Sequence, residues 1–323
     1  MFYKGMVRSV AVTTIVVATA GLAACGGGSS APASASSNEL KLSSAVQSEH
    51  VARYAGAFGL IGGPGVGAIY AAVAQTFVKQ ALAGAVSGSS SCSTSGNYTV
   101  TLPTTTGVTV GENANVTFNG CVGEISAPGV SSHDSVTGSM SLQVQSVQGT
   151  VGATNANWSY TALASANNLV LTSSNGTTTL NGSVTYTTSY DATTGNTTTT
   201  ASAPTVTIAR TLPASSITGT ITVGSLAFTR VQNPTTQAQT ITASASIGIA
   251  ASDVTMTFDV ATSTPIAFKN GSLTAGTLTL TSDSATETLV VQGSSTLGVT
   301  VTANGKTGTY TEQLSDFQSL LGS

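Results

Sequence analysis

The chain has 323 residues, of which 7% are charged and 5% aromatic, and nine Lys and Arg against twelve Asp and Glu leave a net charge of −3. No basic patch exists, which disfavours nucleic-acid binding and a polybasic grip on anionic lipid heads. Ser, Thr, Gly, Ala, Val and Asn carry most of the rest, so the polarity lies in hydroxyls and amides rather than in charge.

Lys4 and Arg8 precede an uncharged apolar run from Val10 to Ala20; Leu22-Ala23-Ala24-Cys25 and then Gly26-Gly27-Gly28 follow. A charged start, a short apolar run and a small-residue site are the order of an export signal, here residues 1–24. The Cys placed directly after Leu-Ala-Ala resembles the lipobox of bacterial lipoproteins. The resemblance covers only this N-terminal stretch. It implies a lipid on Cys25 and a membrane as partner through that lipid. Gly26 rather than Asp after the Cys implies the outer membrane. The plainer reading is an ordinary signal peptide with a chance Cys. Loss of Lys4 and Arg8 with the signal leaves seven basic against twelve acidic side chains, a net −5. Residues 25–43 are Gly, Ser, Ala and Pro with little apolar content, which reads as a flexible tether.

If Cys25 carries lipid, Cys92 and Cys121 remain as a pair. An exported chain meets an oxidising compartment, so a disulfide is the default. It would close a loop of roughly 30 residues and contribute about 3–4 kcal/mol in the chain-entropy model. The alternative is two separate buried thiols. No His stands at ligand spacing from either, so no metal is expected.

Residues 44–86 are rich in Ala, Val, Ile and Leu and read as an N-terminal helical segment of two helices. The first is expected over 44–60. The second is expected over 65–85, with Pro64 near its first turn, where a missing N–H costs nothing. Gly62-Gly63-Pro64-Gly65 separates them. Val66, Ile69, Tyr70, Val73, Phe77 and Ala81 share one face at helical spacing. No residue from Ala55 to Phe77 is charged, long enough to span a bilayer. Gly59, Gly63 and Gly67 also recur at the spacing of packed membrane helices. The run is interrupted by Gly-Gly-Pro-Gly and follows a lipid anchor, so the favoured reading is a buried helix. The Gly cluster is no phosphate loop, since no Gly-Lys-Ser/Thr follows.

From about residue 96 the period changes to two. Tyr98, Val100 and Leu102 alternate with polar residues, as do Val116 and Phe118; Trp158, Tyr160 and Ala162; Ile241 to Ile249; Val254 to Val260; and Leu297, Val299 and Val301. The residues between are mostly Thr and Ser. One apolar and one hydroxyl face is the half-buried antiparallel pattern. Turn signals at Asn119-Gly120, Ser174-Asn175-Gly176, Asn270-Gly271 and Asn304-Gly305 separate the runs, as do loop prolines Pro103, Pro128, Pro204, Pro213, Pro234 and Pro265. Roughly fourteen strands are expected over 87–323. Gly138, Gly182 and Gly219 fall on apolar faces, where a Gly marks a bend or a close approach. Glu312 to Leu321, with Leu314, Phe317, Leu320 and Leu321 at helical spacing, reads as a short C-terminal helix capping an edge. The expected fold is mainly β: a large curved antiparallel sheet, open or barrel-like, covering the apolar helix.

Chemistry is sparse. His50 and His133 are the only His residues. His133-Asp134 in a loop leaves a Ser–His–Asp site conceivable, but no Gly-x-Ser-x-Gly elbow occurs. His50, beside Glu49 and near Arg53, reads as a polar helix face. Asp283 with Glu287, or Asp191 with Asn196, could meet a cation, without the ligand density of a calcium loop. No catalytic residue, metal site or cofactor is assigned. The expectation is a lipid-anchored envelope structural or interaction protein presenting a hydroxyl-rich β surface to an envelope or surface partner. The runner-up is a binding module that holds a lipid or other apolar ligand on the concave face. An enzyme comes third.

Overall fold

A computed structural model describes residues 40–82, 87–102, 108–125, 133–174, 176–212, 217–251 and 255–316. Cys25, the signal and the tether up to residue 39, Val254, Pro103, Pro128, Pro213, Phe317, Leu320 and Leu321 lie outside them, whereas residues 40–43, expected as tether, are part of the body: the Leu40 N–H donates to the Thr255 carbonyl and Leu42 is buried. A 3₁₀ turn, Leu42–Val46, leads into α1, Glu49–Leu60, and α2, Val66–Leu82. The strands are β1 (Ser87–Ser91), β2 (Ser95–Thr101), β3 (Asn113–Val122), β4 (Ser135–Gln148), β5 (Trp158–Ser173), β6 (Gly176–Asp191) and β7 (Asn196–Leu212). They continue as β8 (Ile217–Asn233), β9 (Ala238–Ala251), β10 (Thr255–Lys269), β11 (Ser272–Ser282), β12 (Ala285–Val291), β13 (Thr296–Ala303) and β14 (Lys306–Gln313).

All fourteen strands form one antiparallel sheet in chain order, β1 to β14. Every connection joins neighbours, which keeps the loops short and the pairings local. The sheet is open, with no ladder between β1 and β14 among the described residues. It curls around the helix. Helix residues meet side chains on β8, β9, β10 and β11. On the opposite side the Tyr70 hydroxyl donates to the Gly182 carbonyl on β6 at 2.7 Å, and Phe77 packs on Tyr160 of β5. Helix and inner face share one core.

The two expected helices are one. α1 runs into α2 through a π turn, Ile61–Gly65, with Pro64 inside it. Proline lacks an N–H and its ring clashes with the carbonyl four residues back, which should break an α-helix. Here the turn widens instead. The Val66 N–H donates to the Ile61 carbonyl, five residues back, and the axis continues. The helix starts at Glu49 rather than 44, on a Ser48 cap whose Oγ accepts from the Val51 N–H. Residues Glu49–Val78 are long and apolar enough to cross a membrane, yet 94% of that apolar window is buried inside the protein. Val66, Ile69, Tyr70, Val73, Phe77 and Ala81 are all buried, as their spacing predicts.

Glycine explains how a helix fits so close to the sheet. A methyl on Gly62 would overlap Ile247, and one on Gly67 would overlap the Phe228 ring. A Cβ on Gly63 would stand 3.1 Å from Val260, and one on Gly59 3.0 Å from Leu280. The ladder that resembles a membrane-helix motif is the seam on which the sheet closes.

The inward residues follow the expected alternation, including Tyr98, Val100, Leu102, Val116, Phe118, Tyr160, Ile241, Met256, Phe258, Val260, Leu297, Val299 and Val301. Other sequence signals resolve differently. Asn270-Gly271 and Asn304-Gly305 form the expected turns, all four with positive φ. Asn119-Gly120 does not turn the chain. It lies inside β3 as a bulge, with Gly120 at φ +58° and a register shift between Phe118 and Cys121. Pro204 and Pro265 are in strands, not loops. Pro204 falls where β6 and β7 lose register, between Gly182 and Thr185, and Pro265 where β10 loses register with both neighbours. A bulge needs no ladder N–H, so proline is tolerated there. Gly138 and Gly182 have φ of +111° and +130° and sit at bulges; at Gly182 the bend exposes the carbonyl that Tyr70 grips. Gly219 has no positive φ but lies against Ala250 and Ala251. The C-terminal helical turn spans 314–316 within the described residues, whereas Glu312 belongs to β14.

Replacing Gly67 with Val should destabilise the protein by about 2–3 kcal/mol or more, since overpacking a filled core forces the backbone apart. Urea unfolding checks this. A loss below 0.5 kcal/mol, on the order of a surface substitution, would mean the seam is not tight.

Candidate functional site

The long strands bend at a belt of bulges. Register breaks occur between Ala166 and Leu169, Gly182 and Thr185, Gly224 and Ala227, Phe258 and Ile266, and Thr262 and Thr264. Bulges kink strands and deepen local twist, and on the outer face the crease opens two shallow grooves. One, about 510 Å³, is lined by hydroxyls including Thr187, Thr200, Ser202, Thr229, Thr242 and Ser244 over a floor of Ala and the Phe228 position. The other, about 400 Å³, runs past Thr222, Ser246, Thr257 and Asp259, where the Ser246 hydroxyl donates to Asp259 at 2.6 Å. The Thr262 hydroxyl accepts from the Ala243 N–H at 3.0 Å, filling the place a ladder carbonyl has left.

Register turns the Thr-rich composition into rows. Thr161, Thr187, Thr200, Thr229 and Thr242 stand directly opposite one another across β5 to β9. Thr279, Thr288, Thr300 and Thr309 form a second row, and Thr281, Thr286, Thr302 and Thr307 a third. Neighbouring hydroxyls meet at 2.8 Å between Thr161 and Thr187. Strands lie about 4.7–4.9 Å apart, so each row is a line of hydroxyls and methyls at that spacing. Such pairs also stabilise the sheet by about 0.2–1 kcal/mol each.

Cys92 and Cys121 form a disulfide, with Cα atoms 5.6 Å apart, both buried. It ties the loop after β1 to β3. The Glu124 carboxylate accepts from the Ser93 N–H at 3.0 Å and the Ser93 hydroxyl at 2.7 Å beside it.

The remaining candidate residues do not gather. Asp283 is exposed in the turn before β12, whereas Glu287 points into the core. Asp191 accepts from the Thr193 N–H and the Thr194 hydroxyl, and Asn196 Oδ1 accepts from Asn233, so both serve their turns. His133 is exposed while Asp134 beside it is buried. His50 stacks edge-on against Tyr54. No group of three or more His, Cys, Asp or Glu suited to a metal occurs among the described residues.

The interior holds charges that a motif search passes over. Glu287 is fully buried with neither carboxylate oxygen hydrogen-bonded, and Glu312 is 2% exposed. Arg53 of α1 pairs with Glu312 at 2.8 Å and with Glu49 at 3.1 Å. Tyr310 donates to the Ala45 and Val46 carbonyls of the 3₁₀ turn. The group fastens the start of the helix to β12–β14. Burial, then the neighbouring Glu312, pushes the Glu287 carboxyl well above the usual range. On the other side Arg210 donates to Thr178 at 2.9 Å and faces Asp134; burial lowers it to about 10. The missed signal was period two: Ala285-x-Glu287-x-Leu289 and Ile208-x-Arg210 put both charges on the inward face.

No family model, curated protein or solved structure matches this chain.

A group whose folded pKa is raised contributes its stability below the unfolded value and loses it as pH rises through the folded value. Glu287→Gln should therefore raise stability at pH values above the ordinary carboxylate range and flatten the fall in stability that sets in there, with little change at more acid pH. Chemical denaturation across pH checks this; an unchanged fall would show that the Glu287 carboxyl is not linked to folding. Replacing both Cys92 and Cys121 with Ser should cost about 3–4 kcal/mol by the loop-entropy relation, read from the same unfolding curves.

Proposed function

We propose that this chain is a lipid-anchored protein of the bacterial cell envelope, held to the outer membrane through Cys25, whose body presents a hydroxyl-rich sheet face to an envelope or surface partner. The observation that carries this reading is the filled interior. The helix occupies the concave face with glycine-to-side-chain contacts, so the space an apolar ligand would need is taken by the protein itself. What remains open to a partner is the outer face, with its Thr rows and two shallow grooves. That face is nearly uncharged. A neutral lattice of hydroxyls and methyls suits a neutral, hydrogen-bonding partner better than an ionic one. The ligand-carrier reading would need the helix to leave the sheet, breaking the Tyr70–Gly182 bond and the core together.

Two measurements test the parts separately. Cys25→Ser should move the protein from the membrane to the soluble fraction of cells; continued flotation with membranes would end the anchor reading. Replacing Thr200, Thr229 and Thr242 together with Ala should cost only about 0.2–1 kcal/mol for each cross-strand pair lost, with the fold retained. The same variant should lose saturable binding to isolated envelopes. Undiminished binding would remove the outer face from the reading.

A further inference from the structure

Glu287 differs from the other buried carboxyl groups of the body. Glu112 accepts from the Thr109 N–H at 3.2 Å, Asp134 faces Arg210, and Glu312 is paired with Arg53 at 2.8 Å. Glu287 is fully buried, and neither of its oxygens has a hydrogen-bond partner. The charge that bears on it is Glu312, of the same sign. An ionised carboxylate left unpaired in such a place is costly, so the buried group is held as the neutral acid.

Its position is at the start of the helical segment. Across the ladders Glu287 stands between Leu280 of β11 and Val301 of β13, and Leu280 lies against Gly59 of α1. The 3₁₀ turn packs over β11 to β14 and the first part of α1 over β11 and β12, so these two elements form the roof above the carboxyl. The roof is fastened by few polar contacts: the Leu40 N–H to Thr255, the Tyr310 hydroxyl to the Ala45 and Val46 carbonyls, and Arg53 to Glu312. The close glycine seam begins only at Gly59. A short segment held by a handful of bonds, ahead of a tightly packed one, is a unit that can open by itself. Of the other ionisable groups on these elements, Tyr310 also faces Glu287, Glu49 is paired with Arg53, and His50 lies against the Tyr54 ring. Lys41 and Lys306 are exposed, and Asp316 accepts from the Gln313 N–H.

We propose that residues 42–55 form a strap that closes over the sheet while Glu287 is protonated and is released as pH rises. Opening brings Glu287 into water, where it gives up its proton; closing requires the proton back. Opening is therefore linked to the release of one proton, and its equilibrium constant increases about tenfold per pH unit above the ordinary carboxylate range, until the carboxyl ionises in the closed form as well. The strap follows the tether directly. On the anchor reading above, its release lengthens the leash between the lipid and the sheet, and the sheet with its outer face stays folded on the helix beyond Gly59.

Hydrogen exchange followed by mass spectrometry tests this on the full, disulfide-intact chain over a pH series, with rates corrected for the chemical pH dependence of exchange. Peptides covering residues 42–55 should lose protection by about tenfold per pH unit in that window, while those from β7 to β9 keep theirs. Glu287→Gln should remove the pH dependence and leave the strap closed. Tyr310→Phe, which loses the bonds to the 3₁₀ turn, should open the strap more at every pH and retain the slope. Protection of residues 42–55 that is flat across pH, a slope that survives Glu287→Gln, or loss of protection in the strap and β7 to β9 together would each overturn the proposal. The exchange is read whether or not Cys25 carries lipid, so failure of the strap and failure of the anchor are separate results.

Discussion

The structure depends on a close contact between glycine and branched or aromatic side chains. Gly59, Gly62, Gly63 and Gly67 present bare backbone to Leu280, Ile247, Val260 and Phe228 on four successive strands. Helix and sheet can approach only where one side has no Cβ. With the helix this near, a single layer of inward side chains reaches it from almost every direction, and no second sheet is needed to complete the core. Pro64 serves the same end: the π turn around it keeps one axis through the whole sheet, where two shorter helices would splay.

Wrapping a meander around a helix requires the strands to bend, and the bulge belt is how they do it. Gly138 and Gly182 supply conformations that other residues rarely adopt, and Pro204 and Pro265 occupy places where no ladder N–H is required. The same bends shape the exterior, because a crease on the inner face of a sheet appears as a groove on the outer one. Closure around the helix and the presence of grooves on the hydroxyl face therefore share one cause. An interior filled by the chain's own helix leaves the exterior as the surface available to a partner.

Charged side chains are rare here, yet several are inside. Glu287, Glu312 and Arg53 hold the start of the helix against the last three strands, while Arg210 on β7 faces Asp134 at the start of β4 and Arg230 is buried on β8. Buried ionic groups seldom add net stability compared with apolar replacements, and their value in choosing one arrangement over others differs from protein to protein. In a chain whose strands are so alike in composition, a one-residue slip of β12 or β14 would turn Glu287 or Glu312 to the opposite face. That makes these carboxylates markers of register at the seam where chain start and chain end meet.

Strand number, antiparallel pairing, the identity of the inward residues and the buried face of the helix were all legible in the sequence, because a period of two or of 3.6 is a local property. So was the Cys92–Cys121 pairing, from the arithmetic of three cysteines and the expectation of an export signal. The continuity of the helix through Pro64 was not, because local rules make Gly-Gly-Pro-Gly a breaker and only the sheet's inner wall makes the π turn worthwhile. Asn119-Gly120 likewise reads as a turn until β2 and β4 claim the residues on either side. The Thr rows, the grooves and the surroundings of the buried Arg230 depend on which residues stand opposite one another on different strands. Spacing along one strand fixes the face a side chain takes; its neighbours across the sheet are set by register, and register is decided only when the whole curved surface closes on the helix.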